Sequence, residues 1–498
     1  MEKKPRNLWK SIDPNKCQRF VATTELEDRD ERVIYMEDLY TRKQVYGICG
    51  ECNEPGTGEN WCQPCNAKRF EDNFKNWTSG NKYIDEFIQE SQLNAVHFKK
   101  CLEWIPFEKF QNITYVAKGG FAKIYSAEWP EGISEYWDIE KQKWHKITDL
   151  KVALKSLDNS SDISSDFLNE IKSHLEIFLY DTIQCFGVTQ DPNTKDYMMV
   201  LYYCSNGNLR NFLDKYRFKN YLSYELKIDK LLQIARGLLD IHNAGKVHKD
   251  FHPGNILFSH KNLPFISDLG MCRPANKYSD QKERIYGVLP YVAPEVLRGH
   301  HYTKAADIYS FGIIMNEFFS EETPYSNISF DGFLAIKICQ GYRPKISKNI
   351  PQLLADIIIK CWDAEIKNRP TTKELYQILK KWNEEKRNNE TVIYSQIKEC
   401  NEIGKKNFES RLSKNTQSHS QAIYTSKLLN FKNLPKPVNS SNLSSFQFNL
   451  DINDIPSLSI LEIPTSECLD LQLNESDIDK YRKQPPSKLP ISCDIDDY

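Results

Sequence analysis

Long apolar runs are missing from this 498-residue sequence, and so is an excess of charge of either sign. No stretch of about 18 apolar residues occurs, which excludes a membrane-spanning helix. The opening Met1-Glu-Lys-Lys-Pro-Arg-Asn-Leu-Trp-Lys10 has no apolar core and does not read as a secretory leader. Lys and Arg number 66 against 68 Asp and Glu, a net charge of -2, so bulk electrostatics draw the chain toward neither nucleic acid nor anionic lipid. A basic patch interleaved with aromatics is also absent, which removes the main support for a zinc-dependent nucleic-acid binder. Internal repeats are lacking. The expectation is a soluble, cytoplasmic protein with no nucleic-acid partner and no membrane insertion, its oligomeric state open.

What is present begins with enough material for a core: 40% hydrophobic residues, 12% of the chain aromatic. Fourteen cysteines divide unevenly. Four form Cys49-x2-Cys52-x9-Cys62-x2-Cys65, two knuckles whose thiolates can close a tetrahedral Zn²⁺ shell. Gly47, Gly50, Gly56 and Gly58 suit the turns. The other ten are scattered, which fits a reduced compartment better than a disulfide framework. Unligated or redox-active thiols are the competing reading.

The chain divides into five stretches. Residues 1–46 are charged and lack sustained periodicity. Residues 47–70 hold the four-cysteine zinc-knuckle module. Residues 71–104 read as a helical connector, with Ile84, Phe87 and Ile88 at i, i+3, i+4. Residues 105–385 carry strand patterns first and helix patterns afterwards, which predicts an α+β, two-lobed domain with a β-rich N-terminal lobe and a helical C-terminal lobe. A hairpin is expected over the insertion 130–149, and Thr371-Thr-Lys-Glu374 after Pro370 predicts a capped final helix. Residues 386–498 turn to Asn, Ser, Lys and Glu and are expected to be largely disordered. Two islands there, Ala422–Leu429 and the alternating Phe446, Phe448, Leu450, Ile452, read either as docking segments or as residual hydrophobicity.

Chemistry-bearing residues concentrate in 105–385. Val116-Ala-Lys-Gly-Gly-Phe-Ala-Lys-Ile-Tyr125 predicts two strands around a small-residue turn that a phosphate could approach. Lys155 ends the strand pattern Val-Ala-Leu-Lys. Glu170 lies fifteen residues on, in a predicted helix. His248-Lys-Asp250-Phe-His-Pro-Gly-Asn255 is followed, across a short predicted hairpin, by Ile-Ser-Asp268-Leu-Gly270. Carboxylate and amide oxygens at this spacing suit a hard cation such as Mg²⁺. Further on come Pro290-Tyr-Val-Ala-Pro-Glu295, Asp307, Phe311-Gly and Lys-Asn-Arg369-Pro.

Taken in order, these motifs resemble the eukaryotic protein kinase family over about 280 residues, most closely its tyrosine-kinase-like group. The whole chain, cysteine module and tail included, looks like the expanded protein kinases of arbuscular mycorrhizal fungi. The resemblance implies ATP and Mg²⁺ as cofactors and protein hydroxyls as acceptors, within intracellular signalling. Asp250 would accept the hydroxyl proton. Lys155, held by Glu170, would grip the α and β phosphates, and Asn255 and Asp268 would bind Mg²⁺. Ala117, Gly119 and Gly120 would cover the phosphates. Adenine would meet the Tyr202 carbonyl and Cys204 amide, walled by Ile124, Ala153 and Leu257, with Leu201 guarding the rear. Glu295 and Arg369 would form a buried ion pair, and Asp307 would hold the catalytic-loop backbone.

Departures leave finer questions. Lys249 replaces an arginine that clamps a phosphorylated loop bidentately in the family, so dependence on such phosphorylation is open. His252 and Val288 stand where serine/threonine kinases carry lysine and threonine. The expectation is Ser/Thr specificity, with dual specificity or a non-catalytic scaffold as alternatives.

Overall fold

The computed structural model describes residues 6–11, 19–23, 30–118, 122–157, 164–177, 180–217, 221–275, 284–411 and 424–440. Period-2 stretches assemble into a six-stranded sheet in the order Glu103–Trp104, Cys185–Gln190, Tyr197–Tyr202, Leu150–Leu157, Ala122–Trp129, Gln111–Lys118. Every pairing is antiparallel except Glu103–Trp104, which runs parallel to Cys185–Gln190. The connector therefore does more than link: its end adds a strand to the upper lobe, and the boundary expected at 104/105 falls inside a sheet. The sheet's alternate faces fill two apolar clusters. One, around Val152, Leu154 and Val200, packs on Trp129 and Phe186. The other, around Phe167, Ile171 and Met199, takes in Ile84 and Ile88 of the connector helix Lys82–Asn94.

Hydroxyl caps start the helices that position the site. The Phe167 N–H donates to the Ser164 hydroxyl at the head of Ser165–Glu176. Ser223 and Thr303 do the same for Tyr224–Asn243 and Lys304–Ser320. Thr371 and Glu374 form the expected capping box of Thr372–Glu385. Each such cap contributes about 1 kcal/mol. The lower lobe is built around Tyr224–Asn243 and Lys304–Ser320, whose apolar residues join one large core.

The insertion forms the expected hairpin, Ile133–Asp138 with Lys143–Ile147. Its two tryptophans lean onto the cysteine module. Trp144 stacks on Phe70 at 5.2 Å and lies 5.9 Å from Trp61, while the Arg69 guanidinium sits 4.5 Å over Trp137. Such aromatic contacts contribute about 0.5–1.5 kcal/mol each beyond area. The hairpin thus fastens the module to the upper lobe.

Both terminal stretches differ from expectation. In 1–46, Phe20–Ala22 pairs with Val33–Tyr35, helix Leu39–Tyr46 follows, and Val21, Ile34 and Tyr46 are buried together. Arg32 reaches the lower lobe, its Nη2 2.6 Å from Asp240 Oδ1. Beyond residue 385 the chain is not a structureless tail throughout. A helix spans Val392–Arg411, and its Ile393, Ile397 and Cys400, spaced i, i+4, i+7, enter the lower core. Burying one such aliphatic side chain contributes about 1.5–3 kcal/mol. Residues 424–440 lie along the lower lobe, including Tyr424–Leu429 of the first apolar island; Ala422 and Ile423 lie outside the described residues. The second island, Phe446 to Ile452, lies outside the described residues.

Candidate active site

Lys155 sits on the central strand Leu150–Leu157, opposite Ile124 of the neighbouring strand. Its Nζ donates to Glu170 Oε1 at 2.6 Å and to Asp268 Oδ1 at 2.8 Å. Helix Ser165–Glu176 carries Glu170 inward, where it is almost completely buried. Burial alone would push the Lys155 pKa down. The Asp268 and Glu170 carboxylates outweigh it, and the ammonium is held above its ordinary value. Asp268 is correspondingly lowered, chiefly by Lys155. Its side chain remains 45% exposed toward the cleft, so its second oxygen has access to a cation.

The loop after helix Tyr224–Asn243 is held from below by Asp307. The backbone N–H groups of His248 and Lys249 donate to its two carboxylate oxygens at 2.8 and 3.1 Å. His242 Nε2 donates to it as well, at 2.9 Å, and His242 Nδ1 is hydrogen-bonded to the Thr372 hydroxyl. This grip holds Lys249 at φ +72°, a conformation a lysine adopts only when its surroundings impose it. Asp250 follows, buried at the cleft. Asn255 gives its amide N–H to the Asp250 carbonyl at 2.9 Å, which leaves the Asn255 amide oxygen as its ligand atom. The hairpin Ile256–Phe258/Pro264–Ile266 then returns the chain, and the Ser267 N–H donates to the Asn255 carbonyl at 2.8 Å. Asp268 comes next, at φ +60°. Lys155, Glu170 and Asp268 are thus joined by short contacts, and Asp250 and Asn255 are tied to Asp268 through the backbone of its neighbour Ser267.

A family profile described as protein tyrosine and serine/threonine kinase matches residues 110–379. The chain belongs to this protein kinase family. Among curated relatives, it is 29% identical over 285 residues to the RGS domain-containing serine/threonine-protein kinase A of Dictyostelium discoideum, covering 56% of this chain and 23% of that protein. It is 28% identical over 298 residues to serine/threonine-protein kinase VIK of Arabidopsis thaliana, covering 57% and 63%. The ankyrin repeat-containing protein kinase A of Dictyostelium discoideum matches at 30% over 241 residues, covering 45% and 16%. The chain therefore spans from about a sixth to under two thirds of the length of these relatives.

Within the kinase, Ala153 lies opposite Leu201. Ala153, Tyr202, Cys204 and Leu257 pack on one cluster at the back of the cleft, and Leu201 is buried in it. Ala117 is exposed on the outer strand, opposite Ile124. Gly119 and Gly120 lie outside the described residues. Arg369 makes the expected fork to Glu295, 2.7 and 2.8 Å, with its guanidinium 5.3 Å over the Tyr309 ring.

Two contacts escaped sequence reasoning. Gly254 donates its N–H to His252 Nδ1 at 3.0 Å, which puts the ring proton on Nε2, 3.6 Å from Asp250 Oδ2. Lys100, from the connector, donates through Nζ to the Leu175 and Ile177 carbonyls, closing the C-terminal end of the helix that bears Glu170. His252 lies in the catalytic-loop motif, but the motif does not signal its ring's contact with Gly254, and the Lys100 contact spans a sequence distance no local pattern signals.

The four module cysteines converge. Their sulfurs all lie within 4.8 Å of one another, with Cys49–Cys65 at 3.8 Å and Cys52–Cys62 at 3.6 Å. Four sulfurs about 2.3 Å from a central Zn²⁺ stand about 3.8 Å apart, so the cluster has the dimensions of such a shell. Cys62 immediately precedes helix Gln63–Asn73, and Cys65 lies in its first turn. The second knuckle is therefore a helix start.

Proposed function

We propose that this protein is an active kinase that transfers the γ-phosphoryl group of ATP to protein hydroxyls, serine or threonine foremost. The observation that carries the reading is Lys155 Nζ bridging Glu170 and Asp268. An ammonium so held is aimed at one point in the cleft and needs no reorganisation when phosphate arrives. A scaffold that never bound nucleotide would have no use for this buried arrangement, whose two acids gain nothing from each other.

Asn255 and Asp268 would hold Mg²⁺. Bound there, the ion would neutralise charge on the transferring phosphate. Asp250 would orient the acceptor hydroxyl and take its proton on a carboxylate oxygen. His252 Nε2–H would position that carboxylate, in the place where serine/threonine kinases use lysine. Ile124, Ala153, Leu201, Tyr202, Cys204 and Leu257 would receive adenine, and Ala117, Gly119 and Gly120 would cover the phosphates. The relatives' names favour serine/threonine chemistry. Kinship with the tyrosine-kinase-like group and with the fungal expansion, a role in cytoplasmic signalling, and structural Zn²⁺ on Cys49, Cys52, Cys62 and Cys65 belong to the same proposal.

Asp250→Asn is the test. Radiolabel transfer from ATP should fall by about 10²-fold or more, with the urea midpoint unchanged. Equal label in wild type and variant would remove the enzyme reading.

A further inference from the structure

The backbone of Ile285–Gly287, just before Val288 and the Pro290–Glu295 motif, pairs with Lys427–Leu429 of the C-terminal segment. The register is antiparallel, Ile285 opposite Leu429, Tyr286 opposite Leu428, Gly287 opposite Lys427. Gly287 marks where this strand lies. A Cβ built on it would stand 3.7 Å from Asp250 Oδ1. Lys427 is therefore paired with the residue that borders the carboxylate that would receive the acceptor proton, and the hydroxyl residues Thr425 and Ser426 immediately precede it in the chain.

The contacts continue on both sides. Upstream, the Tyr424 ring lies 4.1 Å under the Arg210 guanidinium and meets Phe330 edge-on at 4.8 Å. Its hydroxyl donates to the Pro324 carbonyl at 3.0 Å. Downstream, Leu429 is buried in the lower-lobe core. Then Val438 donates its N–H to the Cys339 carbonyl at 3.0 Å, and Asn439 accepts from the Ala364 N–H at 2.8 Å. An extended strand bound by backbone pairing, with side chains in alternate pockets, is how sheet edges recognise peptides. This edge is the one beside Asp250, and the occupant belongs to the same chain. Tethering gives such an occupant an effective concentration on the order of millimolar, against which a free peptide must compete.

We infer that residues 424–440 are a competitor in cis for the acceptor peptide, laid across the groove that substrates use. The inference rests on the kinase reading. An acceptor protein then binds only the fraction of molecules whose tail strand has left, and its apparent affinity is reduced by that fraction.

The experiment uses the full chain with casein as acceptor, comparing wild type with Leu429→Asp and Leu428→Pro. Leu429→Asp places a charge in the core and could weaken the lobe. Leu428 is 38% exposed, so Leu428→Pro disturbs the strand without emptying the core. The expected result is a KM for casein lowered about tenfold in Leu428→Pro, with the KM for ATP unchanged. An unchanged KM for casein, with transfer retained, overturns the inference. A second readout needs no turnover. In an Asp250→Asn background, amide hydrogen exchange at Ile285–Gly287 should accelerate about tenfold or more on adding Leu428→Pro, and unchanged exchange overturns the pairing. Absence of transfer from every form with Asp250 intact, alongside accelerated exchange, would reject the kinase reading and the competitor role with it, while the strand pairing stood.

Discussion

Gly270 and Glu170 share one space: a Cβ on residue 270 would stand 2.9 Å from Glu170 Oε2. The carboxylate that holds Lys155 therefore sits where it does because the residue two positions after Asp268 has no side chain. The glycine is required by this approach, since its own backbone is not left-handed.

Gly270→Ala should push the Glu170 carboxylate off Lys155 and lower kcat about tenfold or more, since small misplacements of positioning groups have large costs. Glu170→Gln should do the same by removing the charge. Because both act through one contact, the double variant should fall little further than either single one. A Gly270→Ala enzyme with wild-type kcat would show that the contact is not used.

The cysteine cluster predicts metal stoichiometry. Metal analysis of the purified chain should find one zinc, lost in Cys62→Ser, whose native sulfur is buried beside Cys49 and Trp9. A chelator should lower the melting temperature of the wild type, and added Zn²⁺ should restore it where Mg²⁺ does not. Equal zinc in both proteins would point to metal held elsewhere.

His174 predicts a pH dependence. It lies on the helix that carries Glu170 and is buried; Nδ1–H donates to the Ile183 carbonyl at 2.8 Å, and Nε2 has no partner. Burial lowers its pKa to about 4, so the folded state keeps it neutral. Below about pH 6.5 the unfolded chain takes up a proton that the folded one refuses, so stability falls as pH drops toward 4 and is complete above 6.5. Between pH 7 and pH 5 the loss from this residue should be about 2 kcal/mol. His174→Asn should reduce the difference between urea unfolding curves at those two pH values, and an unchanged difference would count against a neutral His174.

How legible was this protein? Lys155, Glu170, Asp250, Asn255 and Asp268 stood out because phosphate and magnesium chemistry restricts residue type at each position, and their spacing follows from short local elements. Caps such as Thr371–Glu374 were legible because both partners lie within one helical turn. Ile393, Ile397 and Cys400 were not, because a long polar stretch averaged out one short apolar stripe. The pairing of Lys427 with Gly287 could not be read either, since strand partners so distant in sequence leave no periodic trace.

Order and spacing by themselves determined the two-lobed domain, the residues proposed for ATP and magnesium, and the four clustered thiols, since each depends on chemistry or hydrogen bonds within a few residues. Only the tertiary structure decided that the insertion's tryptophans clamp the cysteine module, that Arg32 reaches Asp240, that Lys100 closes the Glu170 helix and that Lys427–Leu429 pairs with Ile285–Gly287. Those contacts come from burying surfaces far apart along the chain, and which surfaces meet is settled only when the whole chain has packed.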